Sequence, residues 1–159
     1  MVNEINLMRV LKHPSLIEMY EVYDIDNYLA LVLENMNKGN LSQRISKGLI
    51  PERMAFNILK SILSGLSYMH SKKIIHRDIK PGNIMIRDPL PNEGTEEICK
   101  IIDFGLCASL LDKSEEALIH DKSGTVGYLA PEIITKEGKS TFYDDKVDVF
   151  SAGIVFYEM

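Results

Sequence analysis

The stretch His76-Arg77-Asp78-Ile79-Lys80-Pro81-Gly82-Asn83 sets a carboxylate, an ammonium two residues on and an amide five residues on within one short segment. Taken singly, an Asp or Asn in a loop is most often a turn residue. Here the segment follows the apolar pair Ile74-Ile75 and leads into the apolar triplet Ile84-Met85-Ile86, so a short polar loop lies between two apolar runs. Two further strings come downstream: Asp103-Phe104-Gly105, then Gly124-Thr125-Val126-Gly127-Tyr128-Leu129-Ala130-Pro131-Glu132. Each is short enough to arise by chance. All three together, in this order and at this spacing, make chance a negligible reading.

Working outward, residues 51–72 give the clearest helix in the chain. Met54, Ile58, Ile62, Leu66 and Met69 fall on one helical face, with Pro51 expected in the first turn. This stripe reads as core that holds the polar loop at its end. On the other side, Arg87 to Lys100 (RDPLPNEGTEEICK) carries two prolines, a glycine and three glutamates, the composition of a loop. Asn83 and Asp103 stand 20 positions apart, wide enough to hold a surface hairpin, where added residues are tolerated. Towards the amino terminus, residues 2–12 read as a helix with Ile5, Met8 and Leu11 or Leu7 on one side. His13-Pro14 stops it, because proline disfavours helix at the residue before it. Strands are expected at 16–23 and 28–34 around the polar turn Asp24-Ile25-Asp26-Asn27. A short helix follows at 41–46, and the apolar pattern resumes from Val147 to Met159.

The first motif resembles the catalytic loop of protein kinases, in the H-R-D-x-K-P-x-N form of the serine/threonine branch, and the other two match the D-F-G and A-P-E segments of that family. The resemblance implies an α+β, protein-kinase-like fold that is incomplete: a small-lobe remnant (the αC helix and two strands) at 1–34, a hinge at 35–40, and the first half of the mainly helical large lobe at 41–159. Residues 1–159 would then form one partial kinase domain, with its function ATP-dependent phosphoryl transfer to serine or threonine hydroxyls of proteins. The implied cofactors are ATP and Mg2+. Asp78 would accept or orient the proton of the attacking hydroxyl, and Lys80 would contact the γ-phosphoryl as a point charge. Asn83 and Asp103 would hold magnesium, a hard cation that takes oxygen ligands. Thr125 matches the threonine that hydrogen-bonds the catalytic aspartate and lysine.

Around the nucleotide, the resemblance puts Leu33 at the gatekeeper position, and the Glu34 carbonyl and Met36 amide against the adenine edge. Met85 joins Leu41 and Val155 in the stack completed by adenine, while His76 and Phe104 stack with Met8 and Met19. Asp148 matches the buried aspartate that anchors the catalytic loop, and Glu4 matches an ion-pair glutamate. Its lysine partner and the glycine-rich loop are absent, as no G-x-G-x-x-G occurs in the chain. On that ground 1–159 alone is expected to transfer no phosphoryl group. The alternative is a catalytically silent, pseudokinase-like binding or scaffold module, against which the intact Asp78, Lys80, Asn83 and Asp103 argue. Leu129 would line the pocket for the residue after the acceptor. Asn40 and Gly82 occupy places where many relatives that prefer basic substrates carry carboxylates. Regulation is expected to involve Arg77, whose charge would be met either by a permanent carboxylate at Asp121 or by phosphorylation of Ser114 or Ser123.

Composition narrows the partners. The chain has 18 Lys and Arg against 23 Asp and Glu, a formal charge of −5, with the signs mixed. No basic run suggests nucleic acid or an anionic membrane surface. The longest apolar run, Tyr28 to Leu33, is far short of a membrane span, and the amino terminus lacks the build of a signal peptide. Two cysteines, Cys99 and Cys107, suit free thiols in a reducing compartment. The expectation is an intracellular, cytoplasmic protein that acts on a protein substrate.

Overall fold

A computed structural model describes residues 2–26, 28–110, 123–134 and 144–159. Helix α1 (Val2–Val10) opens the chain and buries Ile5 and Met8, with Leu11 just past its end. An antiparallel hairpin follows, β1 (Met19–Ile25) and β2 (Tyr28–Leu33), in a register running from Met19 opposite Leu33 to Ile25 opposite Tyr28. Short α2 (Leu41–Ile45) is entered through a reciprocal cap: the Asn40 side chain accepts from the Gln43 amide at 2.9 Å and the Gln43 side chain from the Asn40 amide at 3.0 Å. Helix α3 (Glu52–Ser71) carries the expected stripe, with Ile58, Ile62, Leu66 and Met69 buried and Met54 half-buried. Pro51 stands at its N-cap rather than inside the first turn.

Strand β3 (Ile74–Ile75) leads into the polar loop, which closes through a 3-10 turn at Pro81–Asn83. Strands β4 (Ile84–Arg87) and β5 (Ile98–Ile101) pair antiparallel, Ile84 against Ile101 and Arg87 against Ile98. A hairpin is therefore present, but its loop is only 88–97: Arg87 and Ile98–Lys100, expected in the loop, are strand residues. Strand β6 (Ala108–Ser109) pairs back onto β3. Helices α4 (Pro131–Ile134) and α5 (Lys146–Glu158) complete the described elements.

The first strand begins three residues later than the sequence suggests. Residues 15–17 are captured by β5: Ile17 N–H donates to the Ile101 carbonyl at 3.0 Å, and Ile101 N–H donates to the Ser15 carbonyl at 2.8 Å. Gly65 on α3 makes room for that crossing, since a Cβ there would lie 3.0–3.3 Å from Ile101, Leu16 and the Ser15 carbonyl. The buried apolar side chains form one cluster from α1 through residues 16–19 and α3 to β4, β5, Phe104 and Val155. The polar loop hangs from its rim. Asn27 of the expected turn, Ser114 and Asp121 lie outside the described residues.

Candidate active site

The polar loop is held from below by one carboxylate. Asp148 on α5, with no exposed surface, accepts from the His76 and Arg77 amides at 2.8 Å each and lies 2.8 Å from His70 Nε2. Arg77 has φ of +68°, in the left-handed region that non-glycine residues rarely adopt. The two Asp148 bonds hold that turn from the backbone, and Arg77 Nε adds a bond to the Leu106 carbonyl at 2.6 Å. His76 is fixed at both nitrogens, Nδ1 accepting from the Asp78 amide at 3.3 Å and Nε2 facing the Ile102 carbonyl at 3.1 Å. Burial pushes its pKa down, and the pattern requires a neutral ring protonated at Nε2.

On the upper side of the loop four side chains converge. Asp78 Oδ2 meets Lys80 Nζ at 2.7 Å and Asn83 Nδ2 at 3.0 Å, while Thr125 Oγ1 donates to Asp78 Oδ1 at 2.7 Å. Lys80 Nζ also donates to Thr125 Oγ1 at 2.7 Å, closing the ring. Burial works against ionisation of Asp78, but the hydrogen bonds from Lys80, Thr125 and Asn83 outweigh it and leave its pKa below the ordinary value. The group is therefore a carboxylate at neutral pH. Thr125 reaches it because Gly124 (φ +126°) can press against the loop. A Cβ at Gly124 would stand 2.7 Å from the Arg77 carbonyl and 2.6 Å from Leu129.

Beside this ring opens a cleft of about 540 Å³. Leu33, Glu34, Met36, Met85 and Asp103, all expected around a nucleotide, line it together with Glu4. Asp78, Lys80 and Thr125 sit apart from its walls. Asn83 links the two regions, because its carbonyl accepts from the Ile102 amide at 2.9 Å, next to Asp103. Asp103 is exposed with φ of +65° and accepts from the Gly105 amide at 3.2 Å. Asn83 spends its Nδ2 on Asp78, which leaves the amide oxygen as its ligand atom. Among the described residues no three His, Cys, Asp or Glu side chains gather as a metal cage. Two oxygen donors, Asn83 and Asp103, fit a cation completed by water and phosphate oxygens. His76 and Phe104 pack with ring centroids 5.8 Å apart but tilted by 60° rather than stacked, Met8 and Met19 are buried near the same core, and Leu41 and Val155 are fully buried. Ser123 is buried, immediately before Gly124 in the chain.

Sequence reasoning passed over two sets of residues. His70 shares the Asp148 carboxylate, and nothing in the helical periodicity of α3 marks it. The Glu34 side chain pairs with Arg87 Nε at 2.8 Å and with Lys100 Nζ at 2.5 Å, and Arg87 clasps Glu93 with both terminal nitrogens at 2.6 and 2.9 Å. The hinge roles expected of Glu34 use only its backbone, so its carboxylate carried no signal.

The family model for the protein kinase domain matches residues 1–159. The chain belongs to the protein kinase family. The kinase chain is 35% identical over 155 residues to CBL-interacting protein kinase 26 of Oryza sativa subsp. japonica, covering 97% of this chain and 29% of that protein. It is 34% identical to CBL-interacting serine/threonine-protein kinase 2 of Arabidopsis thaliana, covering 97% of this chain and 32% of the relative. With calcium-dependent protein kinase 3 of Plasmodium yoelii yoelii the identity is 39%, over 97% of this chain and 27% of the other. The kinase chain thus spans about a third, or somewhat less, of the length of the curated relatives it matches. No helix among its described residues is long and apolar enough to cross a membrane.

Proposed function

We propose that this chain carries the catalytic loop of a protein serine/threonine kinase, which moves the γ-phosphoryl group of ATP onto serine or threonine hydroxyls of a protein substrate. The observation that supports this reading most is the Asp78–Lys80–Thr125 ring with Asn83 bonded to its Asp78, on the loop hung from Asp148 beside the cleft. Phosphoryl transfer leaves little covalent work to the protein, so positioning and charge dominate. Asp78, ionised at neutral pH, accepts the hydrogen bond of the attacking hydroxyl and takes its proton as the oxygen–phosphorus bond forms and the bond from the γ-phosphorus to the oxygen of the departing ADP breaks. Lys80 is shared between Asp78 and Thr125, 2.7 Å from each, and brings its positive charge to the transferring group. The Glu34 carbonyl and Met36 amide take the adenine edge, with Leu33 and Met85 on the walls. Asn83 and Asp103 would hold Mg2+, which neutralises charge on the phosphates when bound. The serine/threonine assignment rests on Lys80 and Thr125 and agrees with the printed names of the relatives.

We read residues 1–34 as small lobe, 35–40 as hinge and 41–159 as large lobe. The buried free thiols of Cys99 and Cys107 suit an intracellular setting. Residues 1–159 hold no G-x-G-x-x-G, so by themselves they are expected to bind Mg-ATP weakly and to transfer nothing. The deciding assay gives the full-length polypeptide labelled ATP and a library of Ser/Thr peptides. Transfer to those hydroxyls, lost in Asp78→Asn, is expected. A full-length protein that binds partners but transfers no label supports a scaffold role instead.

A further inference from the structure

Behind the cleft lies a chain of alternating charges that phosphoryl transfer does not use: Glu93, Arg87, Glu34 and Lys100. The side chains of Arg87, Glu34 and Lys100 are each 9% exposed. A lone charge so withdrawn from water is unfavourable, but two cations against two anions leave the group neutral. Its members come from three places: Glu34 from the segment entering the hinge, Arg87 and Lys100 from β4 and β5, and Glu93 from the loop that joins those strands. Backbone bonds run alongside, Lys38 N–H to the Ile86 carbonyl at 3.0 Å and Ile86 N–H to the Gly39 carbonyl at 2.9 Å. Asn37 and Asp88 bond each other twice, at 3.0 and 3.1 Å. Glu34 itself lines the cleft while its carboxylate is engaged by Arg87 and Lys100.

We propose that Arg87 is a positioning residue for the nucleotide: through Glu34 it fixes the hinge backbone, and through Glu93 it makes the 88–97 loop a structural part of that hinge. The inference rests on the reading of the cleft as the ATP site. Arg87 is not among the residues lining the cleft; it reaches the cleft through Glu34, which does line it. Its guanidinium is suited to the task, since one planar fork reaches two carboxylates at once, which an ammonium cannot do with the same geometry. The clasp involves no reacting atom. Losing it therefore weakens the ground state and the transition state alike, the signature of a changed KM with an unchanged kcat.

The test uses the full-length polypeptide, with Mg-ATP binding measured by calorimetry and steady-state kinetics alongside. Arg87→Met is expected to weaken Mg-ATP binding and raise the ATP KM on the order of tenfold, as misplaced binding groups do, while kcat and the peptide KM stay within about twofold. Arg87→Lys should recover part of the loss. Arg53→Ala, which breaks the exposed pair with Glu96 on the far side of the same loop, should leave nucleotide binding unchanged. Should Arg87→Met fail to fold, Glu93→Gln serves instead, with about threefold weaker binding expected because Arg87 still holds Glu34. Unchanged binding in the Arg87 and Glu93 variants, a loss confined to kcat, or an equal loss in Arg53→Ala overturns the proposal while leaving the kinase reading intact. A wild-type protein that binds no Mg-ATP overturns the reading of the cleft and this inference with it.

Discussion

Thr125 has one hydroxyl and uses it twice, donating to Asp78 and accepting from Lys80. Thr125→Val keeps the shape and removes both bonds. Asp78 then loses one of the contacts that hold its pKa down, and the Lys80 ammonium loses a partner. We expect kcat to fall at least tenfold with the ATP KM little changed, and Thr125→Ser to recover most of it. Asp78→Asn goes further, because an amide cannot take a proton; a loss of about 10²–10⁴ in kcat is typical for such a group. The pH dependence has a definite sign. A depressed carboxyl pKa keeps Asp78 ionised as pH falls, so this residue sets no acid limb near neutrality; its contribution is lost only below the ordinary value of 3.8. A pH–rate profile with an acid limb near pH 6 that moves in Thr125→Val would contradict this. The identities of these residues were legible because the motif fixes them by spacing. The meeting of Thr125 with Asp78, 47 positions away, was legible only through the resemblance, since no local pattern joins a loop to a distant turn.

Among the elements, α5 and the β4–β5 hairpin carry the testable weight. Buried Asp148 takes two backbone donors of the polar loop and faces the mostly buried His70. Asp148→Ala leaves those groups unpaired, and breaking buried charged contacts typically costs about 3–5 kcal/mol. A melting experiment should show a large destabilisation, whereas His70→Gln should be milder because the backbone bonds remain. In the hairpin, Arg87 lowers the Glu93 pKa from 4.5 to about 2. That shift stabilises the folded hairpin above about pH 4.5, and the gain disappears as pH falls towards 2. Acid unfolding followed between those values should be steeper in the parent than in Glu93→Gln. Helix α3 was readable from its stripe alone, because a period near 3.6 reports one buried face. The start of β1 was not, because Ser15 and Ile17 take their backbone partners from β5, some 80 residues on, and strand edges set by distant pairing leave no local trace.

At the scale of the whole molecule, several of the described large apolar side chains face water. Tyr20, Tyr23, Ile25, Tyr28 and Val32 are exposed on the β1–β2 hairpin, and Val149, Phe150 and Tyr157 on α5. Such patches bind partners or promote association, so residues 1–159 prepared alone are expected to bind an apolar dye and to melt broadly. A sharp, cooperative melt from a monomer without dye binding would count against this. The 88–97 loop has a different consequence, one for anyone who would label this protein. Surface loops are the usual places to splice an epitope or a fluorophore, and this one looks suitable in the sequence. Its flanks are gripped: Asp88 by Asn37 and Lys38, Glu93 by Arg87, Glu96 by Arg53 and Asn57. Between those grips the chain passes through Gly94, around which there is open space. A graft placed after Gly94 should be silent, and the same graft after Asp88 should register at the cleft lined by Glu34, which would turn an inconvenient splice point into a reporter.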